Sequence, residues 1–198
     1  MKNQKPKYHQ IIEAAVKVIA ENGYHGSQVS KIAKEANVAD GTIYLYFKNK
    51  EHILVSLFEV KMGEFIDQIA KAIEACSTAS DQLYTMIKMH FGQLSTDYYL
   101  AIVTQLELRQ SDISLRLQIN QVLKPYLTII DGIIQTGIKQ QQFREDLNIP
   151  LVRQMIFGTL DEIVTNWVMK DQKYPLVDMA PEIHRMLVSA LTAQQISK

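Results

Sequence analysis

Between residues 39 and 50 the chain reads ADGTIYLYFKNK. Thr42, Tyr44 and Tyr46 bring hydroxyls and rings, Lys48 and Lys50 bring positive charge, and Ile43 and Phe47 sit one helical turn apart as the natural inward pair. Hydroxyls, aromatic carbon and ammonium groups on one short helix can reach phosphate oxygens, base edges and thymine methyls. That is the chemistry of a major-groove reader. Catalytic chemistry is poorly represented. His9, His25, His52, His90 and His184 show no metal-ligand spacing, no glycine-rich phosphate loop is present, and the single cysteine, Cys76, lacks a nucleophile signature. No catalytic residue, metal site or cofactor is expected, and the chain does not read as an enzyme.

A reading helix needs a partner to hold it. Residues 27–38, SQVSKIAKEANV, place Val29, Ile32 and Ala33 at i, i+3, i+4 on one face, and the small Ala33 lets a second helix cross closely. Asn37 stands where the chain must reverse, and asparagine tolerates the left-handed conformation such turns use. Ser27 is placed as the N-cap of the first motif helix. Ala39 stands at the N-cap of the second, where a capping side chain would contribute about 0.5–2 kcal/mol; Asp40 in its first turn offsets part of that loss through the helix dipole. The DNA-facing set is then Ser27 and Gln28, followed by Ala39, Gly41, Thr42, Tyr44, Leu45 and Tyr46, with Lys50 set against a phosphate at the start of the next helix. Gly41 leaves room for close backbone approach. A competing reading makes Tyr44 and Tyr46 amphipathic core aromatics with surface hydroxyls.

The charge agrees with the first reading. The whole chain of 198 residues is neutral, with 21 basic and 21 acidic side chains. Residues 1–52 hold eight lysines against five acids, a net +3, leaving −3 for the remainder. A dimer would double the basic patch. No apolar run reaches the roughly 20 residues of a membrane span, and MKNQKPKYHQ lacks the apolar core of a signal peptide. With one cysteine no internal disulfide can form, so a reducing cytoplasm is the expected location and no membrane partner is implied.

Residues 9–54 resemble the DNA-binding domain of the TetR family of bacterial repressors. The likeness is carried by IIEAAVKVIAENGY and SQVSKIAKEANVADGTIYLYFKNKEHIL, with their N-G-Y break, IA-x-x-A helix, G-T-I-Y-x-Y-F helix and K-x-K-x-x-I-L exit. Many members have Gly and Ser where this chain has Asn37 and Ala39. Two later segments, LAIVTQLELRQSD and RQMIFGTLDEIVTNWVMKDQKY, resemble the FadR-type branch of the family, Gram-positive repressors of fatty-acid degradation genes released by long-chain acyl-CoA. The resemblance implies a homodimer on double-stranded operator DNA, with long-chain acyl-CoA as effector.

Period 3.6 recurs throughout and sustained alternation is missing, so the fold reads as all-α. It comprises an N-terminal three-helix helix-turn-helix domain over 1–52 and a helical bundle over 53–198 for sensing and dimerisation, about nine helices in all. Expected helices span residues 7–21, the two motif helices, 50–75, 81–95, 98–110, 112–140, 149–169 and 178–193. Pro125 should kink or divide the long helix over 112–140.

Three sets lie in the bundle. Met89, Phe91, Leu94, Ile102 and Leu106, with Met155, Phe157 and Trp167, mix methionine and aromatics as adaptable ligand cavities do; an ordinary core is the competing reading. Arg109, Arg116 and Arg153 lie beside these helices and suit the phosphates of coenzyme A, or else surface salt bridges with partners such as Glu107 and Asp161. Gly158, Leu160, Ile163 and Trp167, with Ile183 and Leu187 of the last helix, form the candidate dimer face, as opposed to internal packing. Two further functions remain open. A repressor of a multidrug efflux pump would sense lipophilic cations through Glu107, Asp161 and Glu162. An all-helical lipid carrier without DNA binding leaves residues 27–50 unexplained.

Overall fold

The computed structural model describes residues 6–192, among which are nine α-helices, a 3-10 turn and no strand. Ala193, at the expected end of the last helix, and Lys2 and Lys5 lie outside the described residues. The helices are α1 (Pro6–Gly26), α2 (Val29–Glu35), α3 (Asp40–Tyr44), α4 (Lys50–Glu74), α5 (Ala79–Thr96), α6 (Tyr98–Glu107), α7 (Ile113–Lys139), α8 (Ile149–Met169) and α9 (Ala180–Leu191), with the 3-10 turn Leu176–Met179 before α9. No described helix is long and apolar enough to cross a membrane.

The chain packs as two compact units, Met1–Gly63 with Asp97–Val122, and Glu64–Thr96 with Leu123–Lys198. Helices α4 and α7 therefore each give one half to either unit. In the first unit Ile11, Ile12, Ala15 and Ile19 of α1 recur at helical spacing and are buried. Against them pack α2 and, most extensively, α6, which buries Leu100, Ala101 and Val103. Gly23 breaks α1 at φ 68, a left-handed angle that suits glycine. In the second unit α5 packs on α9, on the 3-10 turn and on α8. Its core includes Leu83, Ile87 and Phe91 of α5, Ile156 and Leu160 of α8, and Leu187 of α9.

Pro125 does not divide α7, which runs unbroken from Ile113 to Lys139. Pro125 and Gln121, one turn before it, are both exposed, so the carbonyl deprived of its N–H partner can be hydrated.

Candidate nucleic-acid interface and effector elements

Burial separates the two faces of the motif. Ile32 and Ala33 of α2, Ile43 of α3 and Phe47 just beyond it are buried. Asn37 adopts φ 51 between the helices, as its place in the turn requires. Tyr44 is 58% and Leu45 81% exposed, so neither belongs to the core. Tyr46 is half-buried: its ring meets Tyr8 edge-on at 6.3 Å, while Phe47 stacks on the same tyrosine at 5.0 Å. The core reading thus fits Tyr46 in part and fails for Tyr44. Thr42 is half-buried, and Gln28, Ala39 and Gly41 are exposed. A Cβ on Gly41 would meet nothing within 4 Å, so packing inside the protein does not require glycine there. Ala39 heads α3 without a side-chain cap, as expected.

Ser27 and Lys50 take other places than expected. Gln28, not Ser27, is the N-cap of α2, and it makes no side-chain cap bond. Ser27 is buried; its hydroxyl donates to the Gly23 carbonyl at 2.7 Å and lies 3.3 Å from that of Val18. The Gly23 kink turns residue 27 back over the last carbonyls of α1, and the Ser27 N–H also donates to those of Gly23 and Tyr24. Lys50 serves the same end. Its ammonium donates to the carbonyls of Tyr24 at 3.0 Å, Ser27 at 3.1 Å and His25 at 3.4 Å, and lies 4.5 Å over the Tyr24 ring. A cation within reach of three carbonyls makes charge-assisted hydrogen bonds to them, so the lysine clamps the start of α4 to the end of α1.

Three supports around this joint carry no motif. Asn49 Oδ1 accepts the His52 N–H at 2.8 Å, and His52 Nδ1 accepts the Lys48 N–H at 3.1 Å, a reciprocal cap that fixes the entry to α4. Glu107 Oε1 accepts the Tyr24 N–H at 2.8 Å, next to the Gly23 kink. Its other oxygen accepts from Gln110 Nε2 at 2.7 Å, and the Arg116 guanidinium donates to the Gln110 carbonyl at 3.1 Å. Burial, then the carboxylates of Glu51, Asp112 and Glu107, push the Tyr24 phenol up to about 12. The N-x-x-H spacing could have revealed the first support; nothing local announces a glutamate 83 residues from the amide it holds.

The candidate effector residues divide between the units. In the first, Ile102 is half-buried and Leu106 is 49% exposed. Arg109 is exposed, with its guanidinium 3.5 Å from the Gln105 carbonyl, and Arg116 is held as above. In the second, Phe91, Leu94 and Trp167 are buried, Met89 and Phe157 half-buried, and Met155 exposed. The Trp167 indole N–H donates to the Tyr174 carbonyl at 2.9 Å. Arg153 pairs with Asp131 at 2.6 Å, not with Asp161. A groove of about 310 Å3 in the second unit, lined by Ile73, Gln82, Ile129, Gly132 and neighbours, includes none of the candidate residues. Glu107, offered as a cation partner, has both oxygens engaged by N–H donors.

The expected dimer face needs correction. Leu160 is fully buried, and Trp167, Ile183 and Leu187 are buried as well, all within the unit's own core. Ile163 is half-buried. On α8, Ile156, Leu160 and Val164 recur inward, which sends Leu151, Met155, Gly158 and Glu162 outward. On α9, Ile183, Leu187 and Leu191 face inward while Glu182, Arg185, Met186 and Ser189 face out. A Cβ on Gly158 would meet nothing within 4 Å, so that position of the candidate face is open.

Residues 11–57 match the bacterial regulatory proteins of the tetR family, and residues 58–190 match the C-terminal region of YsiA-like proteins. The chain belongs to the TetR family of bacterial regulators. It is 59% identical over 191 residues to the fatty acid metabolism regulator protein of Bacillus subtilis, covering 96% of this chain and 98% of that one. Two solved structures superpose on it closely. The fatty acid degradation regulator FadR from Bacillus halodurans gives a TM-score of 0.90 at 55% identity, covering 93% of this chain and 99% of the other. FadR from B. subtilis, solved in complex with stearoyl-CoA, gives 0.91 at 59% identity with the same coverage. Both match at far more than fold level. No group of three or more His, Cys, Asp or Glu that could hold a metal ion occurs among the described residues.

Proposed function

We propose that this chain is a homodimeric, cytoplasmic, non-enzymatic repressor of fatty-acid degradation genes, released from operator DNA by long-chain acyl-CoA. The observation that carries the reading is the 59% identity, over nearly both full lengths, to a fatty acid metabolism regulator whose solved structure holds stearoyl-CoA. Residues 1–52 bind DNA and residues 53–198 carry sensing and pairing. The exposed Tyr44 and Leu45, with Gln28, Ala39, Gly41 and Thr42 around them, meet the major groove, while Lys50 and Ser27 hold the reading helix from behind. Two copies read successive grooves, and pairing uses the outward stripe of α8 around Met155 and Gly158. Release requires acyl-CoA to prefer the conformation that does not fit the operator. The coenzyme A phosphates fall to arginine, with the exposed Arg109 the first choice.

The test starts from duplexes selected out of random DNA by the full chain. Mobility shifts then follow release by palmitoyl-CoA, palmitate, coenzyme A and a lipophilic cation. Palmitoyl-CoA alone should release the complex, and Tyr44→Ala should weaken it by about 1–3 kcal/mol per half-site. Release by the cation but not by palmitoyl-CoA would replace the reading with that of an efflux regulator.

A further inference from the structure

His90 of α5 is buried in the second unit among aromatic rings. Phe65 lies 6.0 Å from it by ring centroids, Phe91 5.9 Å and Tyr126 5.7 Å, and Phe157 closes on Tyr126 at 6.2 Å. Its Nδ1 is 3.0 Å from the Tyr126 hydroxyl. Its Nε2 is fully buried with no hydrogen-bond partner among the described residues. Buried polar atoms nearly always find a partner, and one left alone is costly, so an imidazole in this apolar setting calls for a reason.

The protonation state follows from hydrogen-bond accounting. The Tyr126 hydroxyl has no acceptor among the described residues other than His90 Nδ1. Placing the phenol proton there leaves the fewest buried groups unpaired; Nδ1 is then the acceptor and the single N–H of the neutral ring sits on Nε2. Burial lowers the imidazole to about 4 and raises the phenol, so both groups stay neutral near pH 7. The unit thus holds one neutral donor buried among aromatic carbon. Such a donor suits a ligand that is apolar except for a single uncharged acceptor oxygen. A long-chain acyl thioester is such a ligand near its reactive end: an alkyl chain, one carbonyl oxygen and a sulfur that accepts poorly.

We propose that His90 Nε2–H is the donor that recognises the thioester carbonyl oxygen of the acyl-CoA effector, with Tyr126 as the positioning residue that fixes the imidazole tautomer. The inference rests on the acyl-CoA reading above. It makes His90 a determinant of specificity for thioesters over saturated chains that lack the carbonyl.

The test compares palmitoyl-CoA with its thioether analogue, S-hexadecyl-CoA, which differs by the carbonyl oxygen. Calorimetry on the full-length wild-type protein should show the thioester binding about tenfold more tightly, the size of one neutral hydrogen bond. His90→Leu should bring the two ligands to within about twofold. A readout without substitution accompanies this: the His90 Nε2 nitrogen, followed by NMR, should carry a proton in the free protein and shift with the thioester but not with the thioether. Equal wild-type affinities, or a thioester preference that survives in a folded His90→Leu, would overturn the inference and leave the acyl-CoA reading standing. Failure of the wild type to bind either ligand would overturn both.

Discussion

The Lys50 ammonium and the Tyr24 carbonyl meet at 3.0 Å, with the lysine 4.5 Å above that tyrosine's own ring. One side chain therefore ties the first turn of α4 to the last carbonyls of α1.

That role separates two outcomes. A lysine on phosphate, once removed, lowers the salt slope of binding by about one. Lys50→Met should instead leave the slope unchanged. It should weaken operator binding and lower stability by about 1 kcal/mol, because partly exposed carbonyls lose a charged donor but regain water. Anisotropy titrations at several salt concentrations, with urea melts, decide this. A slope reduced by one would mean that the ammonium turns outward onto DNA in the complex.

Glu107 makes a second tie to the same joint. Glu107→Gln keeps the shape, yet an amide cannot accept from both the Tyr24 N–H and the Gln110 side-chain amide as the carboxylate does. One donor must be left unpaired, at about 1 kcal/mol. Amide exchange at Tyr24 should accelerate by roughly fivefold, with the α9 amides of the other unit unchanged. Unchanged exchange at Tyr24 would show that the contact holds nothing.

The two faces of α8 should respond oppositely to charge. Leu160→Glu puts a carboxylate into the unit's core and should unfold it, at a cost of about 4 kcal/mol or more. Met155→Glu and Leu151→Glu fall on the exposed stripe and should leave the melting temperature of the isolated subunit nearly unchanged. Sedimentation should show these two as monomers with weakened operator binding. Intact dimers in both would move the interface off this face.

What could be read without coordinates follows from the range of the forces involved. The start of α8 carries a local signal: the Asn148 side chain accepts the Leu151 N–H at 3.1 Å, and Pro150 suits a first turn. Asn37 in its left-handed turn and Ile43 with Phe47 inside are equally local. Ser27 was misread because N-cap residue types are also those whose hydroxyl can turn back onto a preceding helix, and the Gly23 kink decides which happens. The role of Lys50 is less local: a lysine's charge advertises phosphate, whereas its acceptors in this structure lie 23 to 26 residues away. Leu160 and Met155 are both apolar on one helix; only the packing of α5 on α8 tells the covered face from the open one. The His90–Tyr126 pair spans 36 residues and was invisible for the same reason.

Acid should find His90. Its ordinary value of 6.5 is lowered to about 4 by burial. Between those values the unfolded chain holds a proton on this ring that the folded chain does not, so stability rises with pH across the window. The contribution is complete above about pH 6.5 and is lost as pH falls toward about 4, on the order of 3 kcal/mol for the whole step. Substituting only one partner would strand the other, whereas replacing both with apolar groups of similar size should be nearly neutral at pH 7. The pair His90→Leu with Tyr126→Phe should therefore match the wild type at pH 7.5 and lose distinctly less stability between pH 6.5 and 4.5. Urea midpoints taken at half-unit steps give the difference directly. Parallel profiles for the two proteins would mean that the ring is already protonated or hydrated in the folded state, and the neutral donor assigned to it would go with that result.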